Sequence, residues 1–335
     1  RYSRGTRKNR LRFHPTTRLH RLNVTTTAIA HPNIALVKYW GKQEKPGNFP
    51  ATPNLSLTLN GLTSTTTVAN ATSDAFVLNG SKVEDAKLTG FLHKLRASFE
   101  IPPLKIESNN NFPTTAGLAS SASGFAALMT AINGHCALNL DAESASEWAR
   151  MGSASAARSM FGGFVSLVPP TWRAQPLANE DHWPLCIVIA VTSEESKKVG
   201  STEGMQRTAA TSPFYKTWVH GAADDYTRAN DAIVARDFDA LAEVAELNCL
   251  KMHSLMLTSV PTLSYWNAAT LACIEQVQVL RDKGLHVFFT IDAGPQIKAI
   301  CTPMDVDNVE AALQQTQGVI KTIRCGIGHG ARLKA

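Results

Sequence analysis

The chain has 335 residues, 44% of them AVILMFWYC and 18% charged, a balance that excludes a disordered or fibrous protein and fits one large or two smaller folded cores. A net charge of +6 would suit a nucleic-acid or membrane-surface partner if it were spread over a folded face. It is concentrated instead: the first 24 residues carry eight Arg or Lys and no acid, leaving 25 bases against 27 acids in the other 311. The body is close to neutral, and no nucleic-acid or membrane partner is expected for it.

The basic extension, residues 1–24, has no apolar run long enough for a signal-peptide core or a membrane span. It reads as residual upstream sequence or a disordered arm, as an Arg-rich transit segment, or as an RNA-binding tail. The chain starts at Arg1 and its first methionine is Met129, so the natural start is expected upstream and organellar targeting stays open beside a cytoplasmic location. Strand-like runs follow at 24–29, 63–69 and 104–108. Residues 108–140 lack Asp, Glu, Lys and Arg, but Asn109, Asn110, Asn111, Pro113 and several hydroxyls are too polar for a membrane span. That stretch divides into a loop and a helix whose Leu118, Ala122, Phe125, Met129, Ile132 and Cys136 recur every three or four residues and form one sheet-facing stripe.

Asp141 caps a helix predicted over 142–151, and a second short helix covers 153–160. Strands are predicted at 164–168, 185–191 and 287–292. Longer helices are predicted at 213–236, with Ser212 as its N-cap, at 238–254 and at 263–283. Strands mixed with helices without regular alternation indicate an α+β class. The boundaries expected are an N-terminal domain over 25–189 and a helix-rich C-terminal domain over 190–335. Six cysteines without CxxC spacing indicate buried reduced thiols in a cytosol-like compartment.

Five segments carry candidate chemistry. In 113–123, PTTAGLASSAS, small residues let backbone N–H groups approach an anion at a helix start, which suits a polyphosphate; an ordinary Ser/Ala-rich helix start is the alternative. Neither a P-loop nor a GxGxxG pattern is present. NIALVKYWGK (33–42) places Lys38 and Lys42 around Tyr39 and Trp40, able to face a multiply charged ligand or simply to lie on the surface. In 152–163, Ser153, Ser155 and Arg158 surround a short helix, where Arg158 can grip a carboxylate or phosphate at two points or be a solvated side chain; Gly162 and Gly163 then allow a tight turn. Asp292 ends an apolar strand before a Gly-Pro turn, as a proton acceptor or a turn cap. Ser201 and Thr202, with Lys197 and Lys198, sit in what reads as a polar loop.

In this order, NIALVKYWGK, NNFPTTAGLASSASGFAAL, GSASAARSMFGGF, KKVGSTEGM with TSPFY, and FTIDAGP resemble the mevalonate diphosphate decarboxylases, within the group that includes galactokinase, homoserine kinase, mevalonate kinase and phosphomevalonate kinase. The resemblance spans about residues 28–298. It implies an N-terminal domain like the second domain of ribosomal protein S5, a C-terminal ferredoxin-like domain, and a site between them. It implies conversion of ATP and mevalonate 5-diphosphate to ADP, phosphate, CO₂ and isopentenyl diphosphate, and a homodimer as the family's common habit. By the same resemblance Asp292 orients or deprotonates the 3-hydroxyl, Lys38 lies by the transferring phosphate and Arg158 holds the substrate carboxylate. Tyr39, Lys42, Ser153, Ser155, Ser201 and Thr202 bind substrate. Thr115, Gly117, Ala119, Ser120, Ser121 and Ser123 bind the ATP phosphates, with Ser120 and Ser121 nearest the transferring group and a Mg²⁺ that phosphates and water hold, since no carboxylate cage is apparent. A decarboxylase of the 5-phosphate, a 3-kinase on the same fold, and an RNA- or anion-binding protein are the alternatives.

Overall fold

The computed structural model describes residues 24–112 and 120–335. Expectations placed on the arm before Val24, and on Thr115, Gly117 and Ala119, fall outside those residues.

The first lobe opens with β1 (Thr25–Ala30), β2 (Asn33–Val37), β3 (Asn54–Thr58), β4 (Ser64–Asn70), β5 (Ala75–Leu78) and β6 (Ser81–Lys82). Then come α1 (Ala86–Arg96), β7 (Leu104–Asn110), α2 (Ser120–His135), α3 (Ala142–Gly152), a 3-10 helix (Ala154–Met160), β8 (Phe164–Leu167) and β9 (Ala174–Ala178). The second lobe holds β10 (Cys186–Val191), α4 (Ser201–Thr211), α5 (Tyr215–Ala235), α6 (Phe238–Leu257), α7 (Ala268–Asp282), β11 (Val287–Ile291), β12 (Ile297–Cys301), α8 (Val306–Gln315) and β13 (Lys321–Gly326). A final strand, β14 (Arg332–Leu333), returns to the first lobe and pairs with β1.

Three sheets result, in the orders β14-β1-β4-β7-β5-β6, β2-β3-β8-β9 and β11-β12-β10-β13. On the first sheet lies α2, whose Ala122, Phe125, Met129 and Ile132 are buried against Ala28, Val68 and Ile106, as the stripe of three- and four-residue steps predicts. Asp141 caps α3 by accepting from the Ser144 N–H at 2.7 Å. Gly163 turns the chain into β8 at φ +69°, where a Cβ would lie 2.1 Å from the Ala178 carbonyl, so only glycine fits.

The run 185–191 is apolar throughout because β10 is covered on both faces. Ile187, Ile189 and Val191 meet Ile34, Leu36, Leu55, Ile233 and Phe288, while Val188 and Ala190 meet Cys273, Val277 and Val309. Each such fully buried aliphatic side chain contributes roughly 2 kcal/mol. The first of these clusters draws on both lobes, so they share one core. Residue 190 falls inside β10, and β14 joins the first sheet, so the lobes do not divide cleanly at that point.

Other differences have local causes. Ser212 closes α4 instead of opening α5: its N–H donates to Thr208 O and its hydroxyl pairs with Thr258, and α5 starts at Tyr215. The helix predicted from residue 263 begins at Ala268, where Asn267 and Thr270 form a capping box; Leu263 and Tyr265 before it pack beside Trp40. The polar loop expected around Ser201 is α4, which buries Met205 and receives the Trp40 indole N–H on Thr208. All six cysteines are free and four are buried. Among the described residues no helix is long and apolar enough to cross a membrane.

His253 of α6 is packed beneath the end of β11, near the carbonyl of Ile291 and against Trp266. Burial pushes its pKa from 6.5 down to about 3, with the Ile291 carbonyl opposing. Below about pH 6.5 the unfolded chain takes up a proton that the folded one refuses, so this contribution to stability is whole above that pH and declines as the pH falls toward 3. Urea unfolding between these limits is expected to show stability falling by up to about 1.4 kcal/mol per pH unit from this group. The dependence should flatten by that amount in His253→Gln, and equal slopes in the two proteins would refute the assignment.

Candidate active site

The lobes face one another across a cleft of about 950 Å³, counting its solvent-filled mouth. Among the described residues five cations line it, Lys38, Lys42, Lys87, Arg158 and Lys197, against the one carboxylate of Asp292. Of the candidate side chains, Lys38, Tyr39, Lys42, Ser121, Ser153, Ser155, Arg158, Ser201, Thr202 and Asp292 all lie on its wall. They come from segments as far apart as residues 38 and 292.

Lys38 follows β2, and its backbone N–H donates to Asn248 Oδ1 at 2.7 Å, fixing the segment. The Asn248 amide in turn donates to Asp225, which can only accept, so the amide orientation is set. The Lys38 ammonium, 1% exposed, donates to Ala35 O and to Asp292 Oδ1, each at 2.8 Å. Asp292 stands just past β11, in a bend closed by the Gly294 N–H on its carbonyl, and keeps 26% of its side chain exposed to the cleft. Its second oxygen, Oδ2, lies 3.1 Å from the Lys298 ammonium. Burial opposes ionisation of Asp292, yet Lys298 and Lys38 outweigh it and hold the carboxyl well below the usual carboxylate range.

Arg158 is buried in the floor with no carboxylate beside it. Its Nε donates to Ser56 at 2.9 Å, Nη2 to Asn33 Oδ1 at 3.1 Å, and Nη1 to Asn54 Oδ1. Three of the five guanidinium donors are thereby taken by neutral acceptors, leaving one N–H on each terminal nitrogen, the pair a carboxylate can accept. Burial without a fixed anion lowers its pKa to about 10, so it stays cationic at neutral pH, with Asp292 the nearest counter-charge.

A row of hydroxyls lies opposite: Ser121 at the start of α2, 3.3 Å from Ser153, which is 3.2 Å from Ser155. Ser120 opens the same helix, half-buried. Ser123 corrects the expectation for it: two residues past Ser121, it points about 200° away around the helix, is fully buried, and bonds to Ser64 Oγ at 2.7 Å. It is a packing residue of the first sheet. Across the cleft, Lys42 donates to Asn48 Oδ1 at 3.0 Å with Thr202 at 3.4 Å, and Lys197 approaches Ser201 at 3.4 Å. Burial lowers the pKa values of Lys42, Lys87 and Lys197, and cationic neighbours add to this at Lys42 and Lys197, a strain that an anionic ligand relieves. The Tyr39 hydroxyl is buried without a partner among the described residues, and burial pushes its pKa up. Gly41 next to it adopts φ +109°, where a Cβ would meet the Tyr215 hydroxyl.

The sequence reading missed several participants, the cleft cation Lys87 among them. Asn33, Asn54 and Ser56 seat Arg158 from more than 100 positions away; Asn33 opens the NIALVKYWGK segment without having been singled out in it, and nothing in the neighbours of Asn54 and Ser56 marks them. Lys298 carries a signal that could have been used, a lone lysine in the otherwise apolar strand IKAIC. For a divalent cation, the described residues hold no cluster of three His, Cys, Asp or Glu, and both Asp292 oxygens already face ammonium groups. The Ser121, Ser153 and Ser155 hydroxyls are neutral oxygen ligands, which fits a Mg²⁺ that arrives with the phosphates of its nucleotide.

The Diphosphomevalonate decarboxylase-like N-terminal domain matches residues 30–173, and the Mevalonate 5-diphosphate decarboxylase C-terminal domain matches residues 187–327. The diphosphomevalonate decarboxylase of Candida albicans is 37% identical over 322 residues, 88% of this chain and 89% of that one. The crystal structure of mevalonate diphosphate decarboxylase from Staphylococcus aureus superposes with a TM-score of 0.86 at 35% identity, covering 93% of this chain and 98% of the other. A structure of MDDEF in complex with MVAPP, AMPPCP and magnesium superposes with a TM-score of 0.85 at 35% identity, covering 92% and 98%. Two domain matches that together span most of the body, and a 37% identical relative covered almost end to end, place the chain in the diphosphomevalonate decarboxylase family.

Proposed function

We propose that the chain decarboxylates mevalonate 5-diphosphate with ATP, yielding isopentenyl diphosphate, ADP, phosphate and CO₂. The observation that carries this reading is the cleft itself, five cations around one pinned carboxylate, in a chain of this family. The MVAPP, AMPPCP and magnesium bound to the related structure support the same substrates. A 5-phosphate substrate or a kinase without decarboxylation is the less favoured reading, since the relatives that the chain matches are named diphosphomevalonate decarboxylases and a related structure holds MVAPP.

The resemblance assigns the roles, and the geometry supports them. Asp292, ionised and pinned, accepts a hydrogen bond from the 3-hydroxyl and orients its oxygen toward the γ-phosphate; its low proton affinity suits orientation better than early deprotonation. Lys38, beside it, compensates the transferring phosphoryl group, whose transition state is loose and is stabilised chiefly by position and charge. Ser120 and Ser121, at the start of α2, serve the ATP phosphates, and the Ser121 hydroxyl would offer an oxygen to Mg²⁺. When bound, that ion supplies neutralisation of phosphate charge. Tyr39, Lys42, Ser153, Ser155, Ser201 and Thr202 hold the diphosphate end. Arg158 keeps the carboxylate in place. The 3-oxygen bonds to the γ-phosphorus as the bond to ADP breaks, and its proton passes to Asp292 late in the transfer; the 3-phosphate then leaves with its bonding pair, the C–C bond to the carboxylate supplies the pair for the new double bond, and CO₂ departs. A cytoplasmic homodimer is proposed with this reading on family habit alone, and light scattering of the purified chain measures its mass.

CO₂ release is to be measured with ATP, Mg²⁺ and, separately, mevalonate, its 5-phosphate and its 5-diphosphate. The 5-diphosphate alone is expected to turn over rapidly, and a preference for the 5-phosphate overturns the substrate assignment. Asp292→Ala is expected to abolish CO₂ release while nucleotide affinity, read by calorimetry, changes little; full activity in this variant would sink the mechanism. Arg158→Lys loses the two-point grip, and kcat/KM should fall by roughly 10- to 100-fold. A smaller loss would mean that the carboxylate is held elsewhere.

A further inference from the structure

Lys298 is the one charged member of β12, IKAIC, and all five residues of that strand are buried. The register sets Thr290 opposite Lys298 and Phe288 opposite Ile300. Side chains alternate along a strand, so Lys298 stands in the row that Phe288 and Ile300 contribute to the core shared by the lobes. Asp292, two residues past Thr290, leaves that row at its cleft end.

Lys298 is 2% exposed and is not among the residues lining the cleft, yet its ammonium comes within 3.1 Å of Asp292 Oδ2. An ammonium in such a place gives up its hydration, and an apolar side chain of similar length would fill the same space without that loss. The Lys38 contact to Oδ1 alone would leave the carboxylate free to rotate about that oxygen, because Asp292 lies in a bend beyond the strand. A second ammonium on Oδ2, carried by a strand whose backbone is paired on both sides, removes the rotation.

We propose that Lys298 is a positioning residue for Asp292: by fixing the second carboxylate oxygen it sets the plane in which the carboxylate meets the hydroxyl to be phosphorylated. This rests on Asp292 being the group that receives that hydroxyl. The other charged or titratable groups that face Asp292 are Arg158 from the 3-10 helix, Lys197 ahead of α4, and His253 and Cys249 of α6. Burial keeps His253 and Cys249 neutral, with the His253 pKa near 3 and that of the Cys249 thiol raised. Arg158 stays a cation throughout the acid range, so a carboxyl titration that differs between wild type and a Lys298 variant reports Asp292.

The test compares wild type with Lys298→Met in two ways. Steady-state CO₂ release at neutral pH is expected to show kcat lowered about tenfold or more and KM for ATP within about threefold. Carbon-13 NMR of aspartate-labelled protein without substrate, titrated from neutral pH down into the acid range, with the Asp292 carboxyl identified by its absence in Asp292→Asn, should show that carboxyl taking up its proton at a pH higher by about one unit or more in the variant than in wild type. Thermal unfolding should be unchanged or raised, which separates positioning from a structural role. Should Lys298→Met not fold, Lys298→Gln, which keeps a neutral donor, carries the same expectations for kcat and titration. A folded variant with unaltered kcat and unaltered titration overturns the proposal, as does a rise in KM alone. If the wild type itself releases no CO₂, the functional reading fails, while the NMR titration still decides whether Lys298 controls the carboxylate.

Discussion

Asp292 sits between two buried ammonium groups that reach it from different parts of the chain, Lys38 after β2 in the first lobe and Lys298 in β12 of the second. The contact with Lys38 is a joint between lobes as well as a feature of the cleft. It requires β2 to be held against β11, which the shared core of Ile34, Leu36, Ile189 and Phe288 accomplishes. It also requires the backbone at Lys38 to be fixed, which Asn248 and the buried Asp225 accomplish through one oriented amide. Much of what lies around the cleft can be understood as keeping a carboxylate ionised and still in a place where burial alone would neutralise it.

Charge is distributed on two scales that oppose each other. Outside the first 24 residues the chain is slightly acidic, yet the cleft gathers five cations against one anion. Mutual repulsion and burial make that gathering costly in the free protein, as the lowered pKa values of Lys42 and Lys197 indicate. The cost is recovered when a ligand bearing several negative charges enters.

Much of this was legible in the sequence, for reasons that differ by element. The α2 stripe was readable because Ala122, Phe125, Met129 and Ile132 keep a helical period and one side of that helix is the core. β10 and β11 were readable as unbroken apolar runs. β2 was not recognised as a strand, because all five of its residues are buried and no alternation marks it. α4 was read as a loop since its polar composition conceals the inward side, Gly204, Met205 and Thr208. In the site, Lys38, Arg158 and Asp292 stood out through their motifs, whereas the acceptors that seat Arg158 depend on register between β2, β3 and the 3-10 helix. Ser123 was misassigned because helical rotation, and not proximity in the chain, decides which serine of α2 meets the cleft.

The pairing of β14 with β1 has a consequence for the order of assembly. Every residue between Ile29 and Arg332 has to be synthesised before those two can meet, so during translation the outer edge of the first sheet stands open. That edge is a strand of the sequence TTTAIA, able to recruit another strand by its unpaired backbone. Gly328 and Gly330, on the way to β14, pass so close to Leu59 and Met160 that a Cβ on either would lie under 3 Å from their carbonyl oxygens. The returning segment is thus a narrow clasp as well as a strand, and a nascent chain has to be protected from edge-to-edge association until that clasp closes.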